Sequence, residues 1–465
     1  MYNNLPATTR KPGVYAGFNT AQGASSLPAN AWRVLILAQR LAAGTVAALV
    51  PTQVYSAPQA GAYFGFGSPA HLMATIAIRN NPLIDLTVLA VDDAATATKA
   101  TGSVAIEGPA TSTAASRLKI GNLVFEVGTS SGDTASDVSA ALATMVAAYA
   151  GCPVTVADNA GTLTFTAKNG GTVGNTIPIA FESDAAGITA TVTAMHNGAV
   201  DPDLTDALTA VFSTRYQIIC SQFADSGNLP RLKEHVDQVS GKIEQRGSRF
   251  YYSVSGALAG VTTLAAGVNF ERSGTPYFRG CPSLSCEVAA AFAGVRASVD
   301  DPSMPLDGME IIGLGTPAIA DRLSRTEQET CLHNGVTPIE VSPDGAIRIV
   351  RAITNYVLDS SGNPDDTLLD DTTMATLDYV RDVVRTIRKP PKSTARRAAA
   401  FRDQIYAKLK QMEQPEILMD VDQHKPLLTV TANPSDRPAG WFEVSIPAGV
   451  VPGLHILDET ITLIL

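Results

Sequence analysis

The stretch MEIIGLGTPAIADRL, residues 309–323, carries the most enzyme-like spacing in this chain. Gly313, Gly315 and Ala318 fit G-x-G-x-x-A behind an apolar run, a pattern that seats a pyrophosphate on a helix N-terminus. Glu340 follows roughly where a ribose-binding acid would stand. A nicotinamide-dependent oxidoreductase using Gly313–Ala318 is therefore one reading. Against it, the motif falls late in the strand–helix alternation, and Pro317 fills a position that an ordinary loop-to-helix junction favours. Ser253 and Ser255 follow a strand-like run in YYSVSGALAG, but the G-x-S-x-G of a nucleophile elbow is absent. Cys281 and Cys286 in CPSLSC have no second Cys/His pair to complete a zinc site, so both are expected as buried, inert thiols. DSSGNPDD (359–366) lacks the residue order of an EF-hand loop and reads as a solvated turn. The histidines are dispersed. These residues predict no catalytic, cofactor-binding or metal-binding site. A basic cluster remains in RTIRKPPKSTARR (385–397), with Arg388, Lys389, Lys392, Arg396 and Arg397.

Charge decides what that cluster could meet. The chain has 34 Lys and Arg against 44 Asp and Glu, a net charge of −10, which disfavours a dedicated nucleic-acid binder. The cluster suits an acidic protein face better. At 465 residues, two to four domains are expected, and aromatic residues at only 6% mean that small side chains must fill the cores. Five scattered cysteines, an odd number, imply reduced thiols and maturation in a cytoplasm. The opening MYNNLPATTRKPG has no apolar core of a secretory signal. WRVLILAQRLAAGTVAALV is interrupted by Arg40 and Gly44 and reads as strand–loop–strand, with no membrane insertion.

The elements that would position these residues follow from periodicity. A Pro/Gly/Asn/Ser-rich arm, 1–30, contains one short strand candidate, GVYAGF (13–18). Buried strands are predicted at WRVLILAQ (32–39) and DLTVLAVDD (85–93), with a strand, a Gly-rich loop and a helix from about Pro69 between them. Residues 98–199 shift to Thr, Ala, Gly and Val in short alternating strands, interrupted by one helix. In that helix Val138, Ala141, Leu142, Met145, Val146 and Tyr149 recur at the 3.6 period, and Thr134 and Asp137 have capping-box spacing. Strand–helix alternation resumes at RYQIIC (215–220), which predicts a mainly parallel sheet interrupted by the 98–199 insertion. From about 370, two helix stripes flank Pro390–Pro391, followed by strands at EILMDV, LLTVTAN and GWFEVSI. The fold class expected is α/β plus α+β, multidomain. The expected segments are the arm 1–30, a discontinuous central α/β domain at 31–97 and 200–365, the β-rich insertion 98–199, an α+β domain at 366–452, and a terminal strand at 453–465.

That terminal strand, GLHILDETITLIL, is apolar and has no polar tail, an unusual end for a chain because exposed apolar edges aggregate. Two readings stand at the residue level. The strand pairs within its own domain, or it is donated to another molecule through backbone hydrogen bonds.

The sequence resembles the tail sheath proteins of contractile-tailed bacteriophages, in their Mu-like branch. RKPGVYAGFN is similar to that family's opening arm, and TQVYSAPQAGAYFGFGSPAHLMATIAIRNNP to its strand, Gly-rich turn and helix. TLTFTAKNGGTVGNTIPIAF resembles part of its protruding domain. AIRIVRAITNYVLDSSGNPDDTLLDDTTMATLDYVRDVVR is the most specific match, leading into the C-terminal domain. CPSLSCEVAAAFAGVRASVDD fits only loosely, and no GTSMA-type serine segment occurs, so no activity is implied. The resemblance implies strand exchange between copies through Gly13, Val14, Tyr15 and Ala16 at one end and Leu454, Ile456, Ile461, Leu463 and Leu465 at the other. It implies hexameric rings stacked into a helical tube, and partners in further copies of the chain, the tail tube protein, and baseplate and tail terminator proteins. It places the protein in a virion tail, assembled in the host cytoplasm, without cofactor. Arg388, Lys389, Lys392, Arg396 and Arg397 are the candidate tube-facing residues. The sheath of a phage-derived bacteriocin or secretion machine is the alternative within this class.

Overall fold

The computed structural model describes residues 27, 28, 30 and 32–463. Two compact units emerge. The larger contains Trp32–Ala375 together with the tail from Pro452, and the smaller contains Leu27, Pro28, Asn30 and Thr376–Val451.

The larger unit opens with β1 (Arg33–Gln39), β2 (Thr52–Gln53), α1 (Ala57–Phe64), α2 (Pro69–Asn80) and β3 (Asp85–Val91). Every residue of β1 and β3 after the first is buried, as strands covered on both faces must be. Residues 57–64 were expected as a Gly-rich loop and are instead α1. Ser56 caps this helix by accepting from the Gln59 N–H, and Pro58 sits in its first turn. Gly61 is there for packing, since a Cβ on it would lie 2.2 Å from the Phe66 ring.

Residues 99–196 form β4 (Lys99–Glu107), β5 (Ala114–Ile120), β6 (Leu123–Thr129), α3 (Ala135–Ala148), β7 (Val154–Asn159), β8 (Thr162–Gly170), β9 (Ile179–Ser183) and β10 (Thr189–His196). The strands make two antiparallel sheets, ordered β10-β4-β8-β7 and β6-β5-β9. Thr134 and Asp137 close the capping box of α3. Val138, Leu142 and Val146 from its predicted stripe are buried, whereas Met145 and Tyr149 are exposed. Strand β5 does not stand out as an alternating run in the sequence because Arg117 and Lys119 hide its apolar period. Those two pair with Glu126, Asp184 and Glu182 on the solvent side while Leu118 and Ile120 point inward. The excursion begins and ends at one place. Thr98 N–H donates to the Ala199 carbonyl at 3.0 Å, and Ala199 N–H returns to Thr98 at 3.3 Å. Buried polar contacts seat it on the strands: Gln39 donates to the Gly170 carbonyl at 2.8 Å, and Gly170 N–H donates to Asp93 at 2.7 Å.

The chain continues through α4 (Thr205–Val211), β11 (Ile218–Ser221), α5 (Asn228–Ser240), β12 (Arg249–Tyr251), α6 (Leu258–Val268), β13 (Ser273–Gly274), β14 (Pro276–Tyr277), α7 (Ser285–Ala297), α8 (Arg325–His333), β15 (Thr337–Val341) and β16 (Ile347–Ile349). The main sheet is ordered β13-β12-β11-β1-β3-β2 and is parallel at every pairing except β2 with β3. Helix α7 is buried along its length, and Gly294 lets it approach α2 closely, since a Cβ there would lie 2.8 Å from the Ala77 carbonyl. A charged cluster sits inside this unit. Asp371 is 3.0 Å from Arg249 Nη1 and 3.0 Å from Arg296 Nε, and accepts from the Tyr251 hydroxyl at 2.8 Å. The Arg296 guanidinium lies 4.7 Å from the Trp32 ring centroid. Burial alone would raise the Asp371 carboxyl, but the two guanidinium groups outweigh it and hold it below its ordinary value.

The smaller unit contains most of α9 (Asp371–Arg385), within which the division between units falls, then α10 (Ala395–Glu413), α11 (Val421–His424), β17 (Thr429–Ala432) and β18 (Phe442–Ser445). Its core joins Tyr379, Val380 and Val383 to Ile405, Leu409 and Met412, with Ile417, Leu418, Val421 and Leu428 beneath. The stretch 416–421, expected as a strand, is not one. Glu416 and Asp420 take positive φ of 59° and 54°, Leu418 makes a single bridge to Val450, and Val421 begins a helix. No helix among the described residues is long and apolar enough to cross a membrane.

Candidate functional site

Strands β17 and β18 form a lone two-stranded antiparallel hairpin, with Thr429 opposite Ser445 and Ala432 opposite Phe442. Among the described residues neither strand has a second strand partner, and within them both outer edges are open. The outer edge of β17 opens on a groove of about 920 Å³. Ala395, Ala398, Ala399 and Arg402 of α10 line one side of it, and Thr429–Ala432 line the other. The alanine row keeps the groove clear. An added strand would lie about 4.8 Å from β17. A two-stranded hairpin is marginal without further support, which here comes from α10, whose Phe401 ring lies 6.2 Å from that of Phe442.

The chain also holds an unpaired apolar segment. Leu454, Ile456, Ile461 and Leu463 are 78%, 81%, 93% and 79% exposed, and none lies in a strand. Ile461 and Leu463 would share one face of an extended chain. Leu465 and the N-terminal set Gly13, Val14, Tyr15 and Ala16 lie outside the described residues. Arg388, Lys389, Lys392, Arg396 and Arg397 are all exposed in and beyond the loop that joins α9 to α10. Arg388, Lys389 and Arg397 line a second groove, of about 680 Å³, beside Phe401 and Gln404. None of the five makes an ion pair among the described residues, which leaves their charge available.

The nucleotide-binding reading is corrected by geometry. Residues 311–318 form no strand–turn–helix. Only a single 3-10 turn, Ile319–Asp321, follows them, and α8 begins at Arg325. Gly315 is held against Pro282, whose Cγ would lie 2.3 Å from an added Cβ. Glu340 accepts from Gln328 at 2.9 Å, within the sheet that orders β14-β15-β16. Without a helix N-terminus, no amide cluster is directed at a phosphate. Ser253 is buried. Cys286 is buried and Cys281 half-buried, and burial pushes the Cys281 thiol up to about 12, away from the reactive thiolate. Among the described residues no group of three or more His, Cys, Asp or Glu side chains could hold a metal ion.

Comparison with known proteins then places the chain. It is 31% identical over 391 residues to the Mu-like prophage FluMu tail sheath protein of Haemophilus influenzae, covering 83% of this chain and 80% of that one. The chain belongs to the phage tail sheath family. The family model for the phage tail sheath protein central domain matches residues 197–355, from the end of the 99–196 excursion through β16. The sheath tail protein of Desulfitobacterium hafniense shares the fold, with TM-score 0.53 at 13% identity over 95% of this chain and 97% of that one. So does a chain in the contracted helical sheath of the anti-feeding prophage, with TM-score 0.50 at 11% identity over 98% of this chain and 99% of that one.

Two features of this sheath-family chain escape sequence reasoning. The groove beside β17 depends on where α10 packs, although the Ala398–Ala399 pair on an otherwise charged helix was the available signal. His455 is seated between Asp307 and Asp370, and nothing in the local pattern around any of the three announces that meeting.

Proposed function

We propose that this chain is the structural subunit of a contractile tail sheath, of a phage or of a phage-derived particle. It polymerises into stacked rings around a tail tube, each copy donating its terminal segments to the open hairpins of its neighbours. The observation that carries this reading is the pairing of needs within one chain: among the described residues, a hairpin with no further strand on either edge, and an apolar tail that lies in no strand. In this reading each satisfies the other across copies, in a head-to-tail contact that repeats without closing. The exchange runs through the arms that carry Gly13–Ala16 at one end and Leu454, Ile456, Ile461, Leu463 and Leu465 at the other, and the basic loop around Arg388–Arg397 faces the tube. The segments 1–30, 31–97 with 200–365, 98–199, 366–452 and 453–465 act as arm, body, protrusion, acceptor domain and arm.

Contraction follows from the same layout. Donated strands tether subunits while the α/β bodies rotate as rigid pieces, and the sheath passes from a metastable extended state to one that buries more surface. The difference is released as work that drives the tube through the host envelope. No bond is broken and no nucleotide consumed. The sheath meets the baseplate at one end and a terminator at the other, in the virion, after assembly in the host cytoplasm. A second reading, the sheath of a phage-derived bacteriocin or secretion machine, uses the same fold.

Negative-stain microscopy of the purified chain tests the proposal. Hollow striated tubes, alone or on added tail tubes, are expected. A uniformly monomeric field at every concentration, with and without tubes, would overturn it.

A further inference from the structure

The C-terminal tail is exposed but it is not loose at its root. His455 is largely buried, with a side chain 15% exposed, although it sits between Leu454 and Ile456, which are mostly exposed. Its Nδ1 pairs with Asp307, and its Nε2 lies 3.4 Å from Asp370 Oδ1. Arg351 holds the same Asp370 oxygen, donating from Nε at 3.0 Å and Nη2 at 2.8 Å. The seat is a cleft of about 610 Å³ in the larger unit, with Asp307, Asp365, Asp366 and Glu329 among its walls. Gly453 makes the approach possible, because a Cβ there would lie 2.8 Å from the imidazole Cε1 and 3.1 Å from the Pro305 Cγ.

We propose that this acidic cleft is the anchor of the C-terminal arm, and that His455 fixes the point from which the arm leaves its own subunit to reach the next copy. The inference rests on the strand-exchange reading. An inhibitory latch would cover the adhesive part of the arm, yet Ile461 and Leu463 stay 93% and 79% exposed. The cleft holds the root and presents the strand. With pairing beginning by Ile461, only residues 456–460 span the gap between subunits. At most about 3.5 Å per residue, that is a reach of about 17 Å. The hairpin of the receiving copy must therefore sit close to the Asp307–Asp370 face. Without the anchor, the next backbone pairing inward is Val450 with Leu418, and the spanning segment doubles to 451–460. Effective concentration falls roughly as the −3/2 power of tether length, so loss of the anchor should lower it about threefold per arm.

The experiment uses the full chain with a dye on Leu457→Cys in a Cys281→Ser background. Fluorescence anisotropy is read in the unassembled protein, and the critical concentration for tubes is read by light scattering. His455→Ala and Asp307→Ala should each lower the anisotropy, the double variant should lower it no further, and each should raise the critical concentration about threefold. His196→Ala should change neither. Melting curves establish that each variant is folded, and His455→Ala alone suffices if Asp307→Ala is not. Unchanged anisotropy in His455→Ala would overturn the anchor, and so would lowered anisotropy with an unchanged critical concentration. Absence of tubes from the unmutated chain would count against strand exchange itself, while the anisotropy would still report whether the root is held.

Discussion

Glu287 sits buried in the first turn of α7, where its carboxylate accepts from the Leu284 N–H at 2.8 Å. Burial pushes its carboxyl up to about 7, against the smaller opposing effect of that N–H. The folded chain thus holds a proton that the unfolded chain has already released. Stability from the protonated form is complete below about pH 4.5 and is lost as pH rises to about 7. Glu287→Gln keeps an acceptor without the charge. It should flatten the decline in melting temperature between pH 5 and pH 8, and by pH 8 it should be more stable than the unmutated chain by up to about 3 kcal/mol. Calorimetry across that range checks this, and parallel curves for the two proteins would contradict it. Asp371 is the opposite case, a buried carboxylate between two guanidinium groups. Asp371→Ala leaves both cations without it and should cost about 3–5 kcal/mol in urea denaturation. Little at this scale was legible in the sequence. The capping box of α3 could be read because its partners stand three residues apart. Arg249, Arg296 and Asp371 meet only through the fold, across gaps of dozens of residues.

Among elements, legibility tracked the strength of the period. The apolar runs of β1 and β3 and the stripes of α9 and α10 announced themselves, because burial on both faces or along one helical face leaves few alternatives. The failures have local causes: charges that hide β5, a capped start that makes α1 a helix despite Gly61, and positive φ at Glu416 and Asp420 where a strand was expected. At Gly313–Ala318 the spacing was right but no helix followed to give it meaning. The 98–199 excursion yields a prediction at this scale. Thr98 and Ala199 pair with each other, so a short Gly/Ser linker can replace what lies between without stretching β3 or α4. The truncated chain should stay monodisperse by light scattering and melt cooperatively. Some stability should be lost, because Gln39 and Asp93 lose their Gly170 partners. Aggregation or a non-cooperative melt would mean that the excursion is part of the main core.

At the scale of the whole molecule, the account depends on where the tail finds its partner. The apolar ending was the plainest anomaly in the sequence, but its two readings could not be separated by pattern, since a strand looks the same whichever chain supplies its neighbour. Among the described residues β17 has an edge without a second strand and a groove beside it, and the proposal of donation is built on these. Exposed charge mainly affects encounter, so replacing Arg388, Lys389, Lys392, Arg396 and Arg397 with Ser should weaken tube-templated assembly more than self-assembly, and added salt should erase the difference. Equal losses in both modes, insensitive to salt, would remove the tube from that face. The most direct test of the central claim is deletion of residues 456–465, which leaves His455 in its seat. Buried leucines and isoleucines are each worth roughly 1.5–3 kcal/mol, so removing an intramolecular strand would consume much of a domain's margin of ~5–15 kcal/mol. A donated strand contributes nothing to the stability of the chain that owns it. The account predicts a thermal melt matching that of the unassembled full-length protein, no tubes by microscopy, and inhibition of full-length assembly by the free 456–465 peptide. A marked fall in melting temperature, or tubes that form without the segment, would contradict it.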